Sequence, residues 1–497
     1  MLICMIRIKK THDKILTKRG YAIKKEQHSE QKLAQYVKEL SVKPFVNNSY
    51  GNTDVQPYPI YLESKHKLYL PKFYGFSEVG EPTCIKLSRG REIDIQFQGT
   101  LRPKQIPVVD CFIRSCAPGL FTQQSNGGII SVPCGWGKTI MALYIAAQLK
   151  RKTLIIVHKE FLLNQWKDRI CEFLPGARVG TIQGPTVDTT DKDIVIGMLQ
   201  SLSIKKYSAE IFDDFGFTIV DECHHIAAEV FCRALPKVNA YYSLGLSATP
   251  KRSDGLGKVF NLFLGPMVYK CDTDEKVVDV RVIHYSEPNN IAYNREEKLY
   301  NGRICMPKMV NNIVDNPNRN RLIVYLAKYL VSLNKQVIIL SDRRRQLTFL
   351  YEMLSQHTKV GYYMGGLKRA ELVESESANV ILGTYAMSSE GLDIPSLDAA
   401  IFATPKSSIQ QSIGRITRKK HTSLPIAFDI VDTFSVFTNQ YKKRLRLYKK
   451  LSYSISQTSI LVHDLFSPTL IENALHNLQS ISVKKKKKTI KCLIEDN

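Results

Sequence analysis

A glycine-rich loop at residues 131–139 constrains the fold of this chain more than any other stretch. The loop reads Ser-Val-Pro-Cys-Gly-Trp-Gly-Lys-Thr, follows a short apolar run, and precedes a helix predicted over residues 140–150. Gly135 and Gly137 allow backbone N–H groups to approach phosphate oxygens closely, and the helix N-terminus adds partial positive charge. The residues predicted to bind a nucleotide here are Pro133, Cys134, Gly135, Trp136, Gly137, Lys138 and Thr139.

Two side chains at the end of this loop carry its chemistry. Lys138 is expected to reach the β- and γ-phosphates of a nucleotide, and the Thr139 hydroxyl is expected to coordinate Mg²⁺. The common phosphate-loop pattern has a glycine where this chain has Val132. A chance Gly-Lys-Thr turn therefore stays open as the alternative for this stretch taken alone.

Composition narrows the class of protein. A chain of 497 residues is long enough for two to four domains. Its formal net charge of +24, from 70 Lys and Arg against 46 Asp and Glu, indicates a polyanionic partner, for which nucleic acid is the obvious candidate. The 11 cysteines are scattered singly, which favours reduced thiols over a disulfide framework or zinc ribbon. No apolar run of 18 residues is present, so no membrane span is expected.

Apolar runs alternate with helical segments along most of the chain. The buried strands predicted in the first half are residues 129–132, 153–157, 193–196, 217–220 and 242–246. Those predicted in the second half are residues 336–340, 360–364, 379–382, 399–403 and 426–430. The intervening helices include residues 160–173, 321–333 and 343–354. This alternation implies parallel sheets covered by helices on both faces, with ligands at the carboxyl ends of the strands.

The predicted domain organisation has five parts. They are an accessory module at 1–98, basic and then β-rich, an α/β domain at 99–270, a polar connector at 271–318, a second α/β domain at 319–470, and a basic tail at 471–497. The accessory module is expected either to contact DNA or only to cap the next domain. The lysine run at 484–488 is expected to be solvated, with salt-dependent phosphate binding and nuclear localisation as alternatives.

Two adjacent acids follow the strand predicted at residues 217–220. Asp221 is placed to hold Mg²⁺, directly or through water, and Glu222 to orient and deprotonate an attacking water molecule. Phosphoryl transfer needs this pairing of a metal-holding acid with a water-positioning group. His224 and His225 have no Cys or His partners at metal-ligand spacing, so a zinc site is not expected.

Two later stretches supply hydroxyl groups and cations. Residues 246–250, Leu-Ser-Ala-Thr-Pro, follow a strand and either link the nucleotide site to a partner site or form an ordinary turn. Arg415 and Arg418 are three residues apart and are expected to share one helical face. Such a face can supply arginine fingers to a γ-phosphate or can simply be solvated.

The order of these stretches resembles that of superfamily 2 helicases and translocases over residues 101–432. Similarity to that family's motifs runs through residues 132–139, 157–166, 199–202, 221–224, 247–249, 391–393 and 411–418. The loop form Pro-Cys-Gly-x-Gly-Lys-Thr and the DECH box at 221–224 are most similar to the XPB and UvsW group and to helicases of large DNA viruses, near the poxvirus transcript-release helicases.

The resemblance implies roles for further residues. Gln105, in the segment Leu-Arg-Pro-Lys-Gln at 101–105, looks like the reader of adenine, and Gly391 and Asp393 look like nucleotide contacts. Ser412 stands where many relatives have Arg, and Glu390 stands where the DEAD-box group has Arg, which argues against that group. The residues implied in catalysis are Lys138, Asp221, Glu222, Gln411, Arg415 and Arg418, with Thr139 and Asp221 as Mg²⁺ ligands.

The expectation is therefore two tandem RecA-like domains that close around ATP and Mg²⁺. The implied activity is that of an ATP-dependent DNA helicase or translocase, acting on single- and double-stranded DNA together with transcription or repair machinery. The location would be the nucleus, the cytoplasm or the virion of a large DNA virus. An RNA or RNA:DNA-hybrid translocase and a non-catalytic nucleic-acid-binding subunit stay open as alternatives.

Overall fold

The computed structural model divides into two compact units, Met1–Asp272 with Ile490–Asn497, and Thr273–Thr489. Within the part of the chain that the structure describes, no helix is long and apolar enough to cross a membrane. That part comprises residues 13–43, 56–116, 126–133, 135–223, 228–248, 257–271, 277–390, 392, 394–417, 423–481 and 490–492. Several predictions concern residues outside this part of the chain, namely Cys134, His224, His225, Thr249, Gly391, Asp393, Arg418 and the lysine run at 484–488.

A small mixed sheet opens the first unit, in the strand order β5-β6-β2-β1-β7. Its strands are β1 (Lys14–Thr17), β2 (Gly20–Lys24), β5 (Leu62–Glu63), β6 (Lys67–Leu70) and β7 (Cys84–Ile85). Beside it lie the pair β3 (Ser41–Val42) and β4 (Tyr58–Pro59) and the helices α1 (Glu30–Glu39) and α2 (Lys72–Glu78). These elements form the β-rich part of the predicted accessory module.

The second sheet of this unit has the order β11-β10-β12-β9-β13-β14-β8-β15-β24. Its strands are β8 (Gly127–Ser131), β9 (Thr153–Val157), β10 (Val179–Gln183), β11 (Thr186–Val187), β12 (Ile194–Met198), β13 (Phe217–Val220), β14 (Tyr242–Ser247), β15 (Met267–Cys271) and β24 (Ile490–Cys492). Its helices are α3 (Ile106–Ser115), α4 (Lys138–Leu149), α5 (Glu160–Phe173), α6 (Leu199–Ile204), α7 (Ala228–Ala234) and α8 (Gly257–Leu264). All neighbours pair in parallel except the edge strands β11 and β24.

The second unit is built on the order β18-β19-β17-β20-β21-β16-β22-β23, which is parallel except at β23. Its strands are β16 (Asp279–Ser286), β17 (Val337–Ser341), β18 (Val360–Tyr363), β19 (Val380–Thr384), β20 (Ala399–Phe402), β21 (Ile426–Asp432), β22 (Ser454–Leu461) and β23 (Gln479–Ser480). Its helices are α9 (Ile291–Asn294), α10 (Met306–Val314), α11 (Pro317–Ser332), α12 (Arg344–Leu354), α13 (Arg369–Glu376), α14 (Tyr385–Glu390), α15 (Gln410–Ile413), α16 (Ser435–Lys450) and α17 (Pro468–His476). The predicted fold class, two tandem RecA-like α/β domains, is confirmed.

Two segments differ from the prediction. The polar connector expected at 271–318 contains β16, which pairs along its length with β21 and β22 in the interior of the second sheet. Val280 and Val282 are buried, but Asp279 and Arg281 alternate with them, so the apolar pattern is weak in the sequence. The tail expected at 471–497 likewise contains part of α17, β23 and β24, because short polar edge strands carry little apolar signal.

The accessory sheet and the first RecA-like sheet share one apolar core, which includes Phe73 of α2 and Ile129 of β8. A Cβ atom on Gly127 would lie 2.5 Å from the Phe73 ring, so glycine is needed there for α2 to approach β8. Lys72 is fully buried, and its Nζ donates to the Tyr241 carbonyl at 2.7 Å. Burial lowers the pKa of Lys72 to about 7. The module therefore caps its neighbour, whichever further role it has.

A Lys72→Met substitution tests this buried amine. Because the Lys72 pKa is about 7 in the folded chain and 10.5 for an ordinary solvated lysine, the unfolded chain binds more protons between these values, and stability rises with pH across this window. The quantity to measure, by urea titration, is the free energy of unfolding of the native chain minus that of Lys72→Met. We expect this difference to rise by on the order of 2 kcal/mol from pH 7 to pH 9. Lys258→Met, at an exposed position of α8, is the control. A flat difference for Lys72→Met would contradict the buried, neutral amine.

Candidate active site

Three adjacent parallel strands bring the predicted site residues of the first unit to one edge of the sheet. Strand β8 leads into the glycine-rich loop, β13 ends just before Asp221, and β14 ends at Ser247. The Val132 N–H donates to the Ser247 carbonyl at 3.1 Å, and the Asp221 N–H donates to the Ile156 carbonyl at 3.1 Å. The backbone therefore fixes the loop, the acids and the buried serine relative to one another.

The glycine-rich loop adopts the backbone conformation that its glycines permit. Gly135 and Gly137 have φ angles of 79° and 80°, a left-handed region that favours glycine. Gly137 forms the N-cap of α4, which begins at Lys138, two residues earlier than predicted. A Cβ atom on Gly137 would lie 2.5 Å from Nε2 of Gln105. The sequence thus places Lys138 and Thr139 in the first helical turn.

Gln105 braces this loop. Its side chain is buried, its Nε2 donates to the Trp136 carbonyl at 2.7 Å, and its Oε1 accepts from the Arg102 N–H at 2.8 Å. The Lys104 ammonium lies 4.4 Å from the centre of the Trp136 ring. The start of α3 therefore holds the loop from one side, and reading of adenine by Gln105 stays a prediction.

The acid pair lies beside Lys138. Lys138 Nζ is 3.5 Å from Oε1 of Glu222, and both side chains are mostly buried. The Glu222 N–H donates to Oδ1 of Asp221 at 2.9 Å. Glu222 has a φ angle of 44°, an uncommon value for a residue with a side chain. Such a conformation persists only where its surroundings fix it, and it occurs often at functional sites.

Trp166 of α5 ends the motif predicted at residues 157–166, but no role was predicted for its side chain. Its buried indole Nε1 donates to Oδ2 of Asp221 at 2.9 Å. Burial and then the Glu222 charge raise the pKa of Asp221 to about 6, whereas the Trp166 hydrogen bond and the Lys138 charge lower it. The signal in the sequence is the buried face of α5, on which Leu162 and Leu163 precede the tryptophan.

The oxygen donors at this edge suit Mg²⁺. A hydroxyl at Thr139 and a carboxylate at Asp221 match an ion that keeps most of its waters and binds substrate phosphates. No cluster of three or more His, Cys, Asp or Glu that could form a dedicated metal cage occurs among the described residues. The residues present therefore fit a metal that arrives with a nucleotide.

In the second unit, the arginine predicted as a finger lies in a turn. Helix α15 ends at Ile413, and the Arg415 N–H donates to the Ser412 carbonyl at 3.2 Å. Arg415 is therefore not on a helical face as expected, because Gly414 caps α15 before it, and Arg418 lies outside the described residues. Arg415 is buried, and its Nη1 donates to the Leu392 carbonyl at 2.9 Å.

Gln411 is half-buried on the short helix α15, beside the buried Ser412. Leu392 belongs to the stretch predicted to contact nucleotide, between Gly391 and Asp393. The Arg415 hydrogen bond therefore joins two of the predicted motifs within the second unit.

Known proteins resemble this chain over most of its length. The family described as Type III restriction enzyme, res subunit, matches residues 98–252. A protein of Acanthamoeba polyphaga mimivirus named Putative ATP-dependent RNA helicase is 37% identical over 456 residues, covering 89% of this chain and 86% of that protein. A protein of Invertebrate iridescent virus 6 named Putative helicase is 30% identical over 380 residues, covering 72% of this chain and 83% of that protein.

Among solved structures, S. cerevisiae Dbp5 bound to RNA and ADP BeF3 is 12% identical, with a TM-score of 0.50, covering 76% of this chain and 98% of that one. This likeness shows the fold alone. The chain belongs to the superfamily 2 helicases, in the group found in large DNA viruses. It is accordingly a nucleic-acid-dependent ATPase.

A Trp166→Phe substitution tests the contact with Asp221. Losing the indole N–H removes a bond that lowers the Asp221 pKa, so that pKa should rise above about 6. Because Asp221 must be ionised to hold a metal, the acidic limb of the kcat/KM profile for ATP should move to higher pH. Ile170→Val, a small deletion on the same buried face of α5, is the control and should leave the limb in place. An unshifted limb in Trp166→Phe would contradict the assigned contact.

Proposed function

We propose that this chain is an ATP-dependent DNA helicase or translocase in which Glu222 acts as the base that activates water. The observation that carries this proposal is the position of the Asp221–Glu222 pair beside Lys138, at the carboxyl edge of three parallel strands. Phosphoryl transfer to water needs a fixed cation, a metal-holding acid and a group that orients the water.

The roles follow from the contacts. The Lys138 ammonium lies beside the Glu222 carboxylate, and the phosphates of ATP would attract the same ammonium. ATP binding would therefore compete with Glu222 for Lys138 and leave the Glu222 carboxylate able to accept a proton. Trp166 keeps the Asp221 carboxylate oriented. Thr139 and Asp221 would hold Mg²⁺, which supplies neutralisation of phosphate charge when bound.

The second unit is proposed to complete hydrolysis. Gln411, Arg415 and Arg418 would act on the ATP phosphates, and Gly391 and Asp393 would contact the nucleotide. Arg415 is buried, and its guanidinium donates to the Leu392 carbonyl. This contact supports the role, because the orientation of the guanidinium is fixed before it acts on ATP. A planar, permanently charged fork suits phosphate oxygens better than an ammonium does.

DNA is the proposed substrate, single- or double-stranded, in viral transcription or repair inside an infected cell or virion. The net charge of +24 supports a polyanionic partner. The name of the mimivirus relative favours RNA as the second candidate.

A Glu222→Gln substitution tests the proposed chemistry. The amide keeps the shape of the side chain but cannot take a proton, so ATP binding should persist while turnover falls by about 10²-fold or more. Binding is measured with a fluorescent ATP analogue and turnover by phosphate release, each with and without DNA. Glu229→Gln, at an exposed position of α7, is the matched control and should hydrolyse ATP normally.

Loss of ATP binding in Glu222→Gln would show that the residue holds the nucleotide or the fold of the loop. Native turnover in that variant would show that another group activates water. Either result contradicts the role proposed for Glu222.

A further inference from the structure

We propose that Arg319, Tyr385 and Arg444 are positioning residues for ATP hydrolysis. They hold the segment at residues 403–409, which connects β20 to the helix carrying Gln411 and leads on to Arg415. The inference rests on the proposed function, because the segment affects hydrolysis only if Gln411 and Arg415 act on ATP. None of the three residues contacts the reacting atoms in this scheme, and each acts through the backbone of the segment.

Three carbonyl groups of this segment are each held by a buried side chain from a different helix. The bonds are Arg319 Nη1 to Ala403 O at 2.6 Å, Tyr385 Oη to Thr404 O at 2.7 Å, and Arg444 Nη1 to Lys406 O at 3.0 Å. The donors lie on α11, α14 and α16. The start of the segment also pairs with β17, where the Ala403 N–H donates to the Leu340 carbonyl at 2.9 Å, and the long side chains hold it in addition to this bond.

Each of the two arginines pairs with a buried aspartate. Arg319 binds Asp432 through Nε at 2.7 Å and Nη2 at 3.0 Å, and Arg444 Nε binds Asp429 at 2.8 Å. Both aspartates lie on β21, beside β20. Arg319 therefore binds its carboxylate of β21 through two nitrogens and Arg444 through one, and each directs Nη1 at a carbonyl of the segment.

A gain in folding stability alone does not explain why the second unit buries two arginine–aspartate pairs. Arg319 and Arg444 are 0% and 1% exposed, so both charges lose their water on folding. Buried ion pairs can often be replaced by apolar residues of similar volume without loss of stability. A hydrogen bond from the arginine to a backbone carbonyl is something that an apolar pair cannot supply. Positioning of the segment is therefore the role that the charge arrangement serves.

Tyr385 connects the segment to the stretch at residues 383–393. It is the first residue of α14, directly after β19, and is fully buried. Its bond to Thr404 O and the bond from Arg415 to Leu392 O join the same two parts of the chain at two points. The Thr404 hydroxyl also accepts from the Asp342 N–H at 2.9 Å. Displacing residue 404 would therefore disturb Arg415 as well.

Tyr385→Phe is the test, because it removes one hydroxyl and keeps the ring. Tyr21→Phe is the matched control, since Tyr21 is equally buried and its hydroxyl donates to the Gly80 carbonyl at 2.9 Å rather than to the segment. Both variants should melt at similarly lower temperatures. Only Tyr385→Phe should lower kcat for ATP, by about tenfold to a hundredfold, with the affinity for a fluorescent ATP analogue unchanged.

Arg444→Lys is the second variant, should Tyr385→Phe fail to fold. An ammonium can keep its charge beside Asp429 but lacks the fork that also reaches Lys406 O, so kcat should again fall without loss of ATP affinity. Equal kcat losses in Tyr385→Phe and Tyr21→Phe, or native kcat in Tyr385→Phe and Arg444→Lys, would overturn the proposal.

Arg415→Ala separates this proposal from the one on which it rests. If Arg415→Ala slows hydrolysis and Tyr385→Phe does not, the positioning role is wrong and the role of Arg415 stands. If Arg415→Ala hydrolyses ATP normally, the proposed role of Arg415 fails, and the positioning role fails with it. Slow hydrolysis in Arg415→Ala and in Tyr385→Phe, with native kcat in Tyr21→Phe, supports both.

Discussion

The buried carboxylate of Asp221 is the constraint on which the site of the first unit depends. A charge at the end of a buried strand loses its water, and this loss, together with the Glu222 charge, raises the Asp221 pKa to about 6. The Trp166 indole and the Lys138 ammonium oppose that shift, so the carboxylate stays mostly ionised at neutral pH. Residues from a strand end, a loop and a helix must therefore meet at one point, and the parallel sheet makes this possible.

The second unit relies on the same physics for a different purpose. Its buried aspartates lie on β21, and each pairs with an arginine as well as with a tyrosine. Each arginine also donates a hydrogen bond to a backbone carbonyl. Charge is thus buried in both units where a loop must keep one conformation. In the first unit the buried charge lies in the site itself, whereas in the second unit it lies behind the segment that carries Gln411 and Arg415.

The predictable features of this chain are local ones. The strands at 153–157 and 217–220 were predictable because they are short apolar runs. The phosphate loop was predictable because only glycine adopts its φ angles easily. The bond from Trp166 to Asp221 and the brace from Gln105 to Trp136 join residues 55 and 31 positions apart, which no local pattern reveals. Strand β16 was missed because polar residues alternate with its buried valines, and the turn at Arg415 because spacing alone suggested a helix.

The central claim is that one site, built around Lys138, Asp221 and Glu222, supplies a nucleic-acid-dependent ATPase. The most direct measurement is ATP turnover by the native chain and by Lys138→Ala, each with single- and double-stranded DNA and RNA. The native chain should hydrolyse ATP faster with nucleic acid, and with DNA more than with RNA, whereas Lys138→Ala should show no turnover above background with any of them. Native turnover in Lys138→Ala would contradict the assignment of this site.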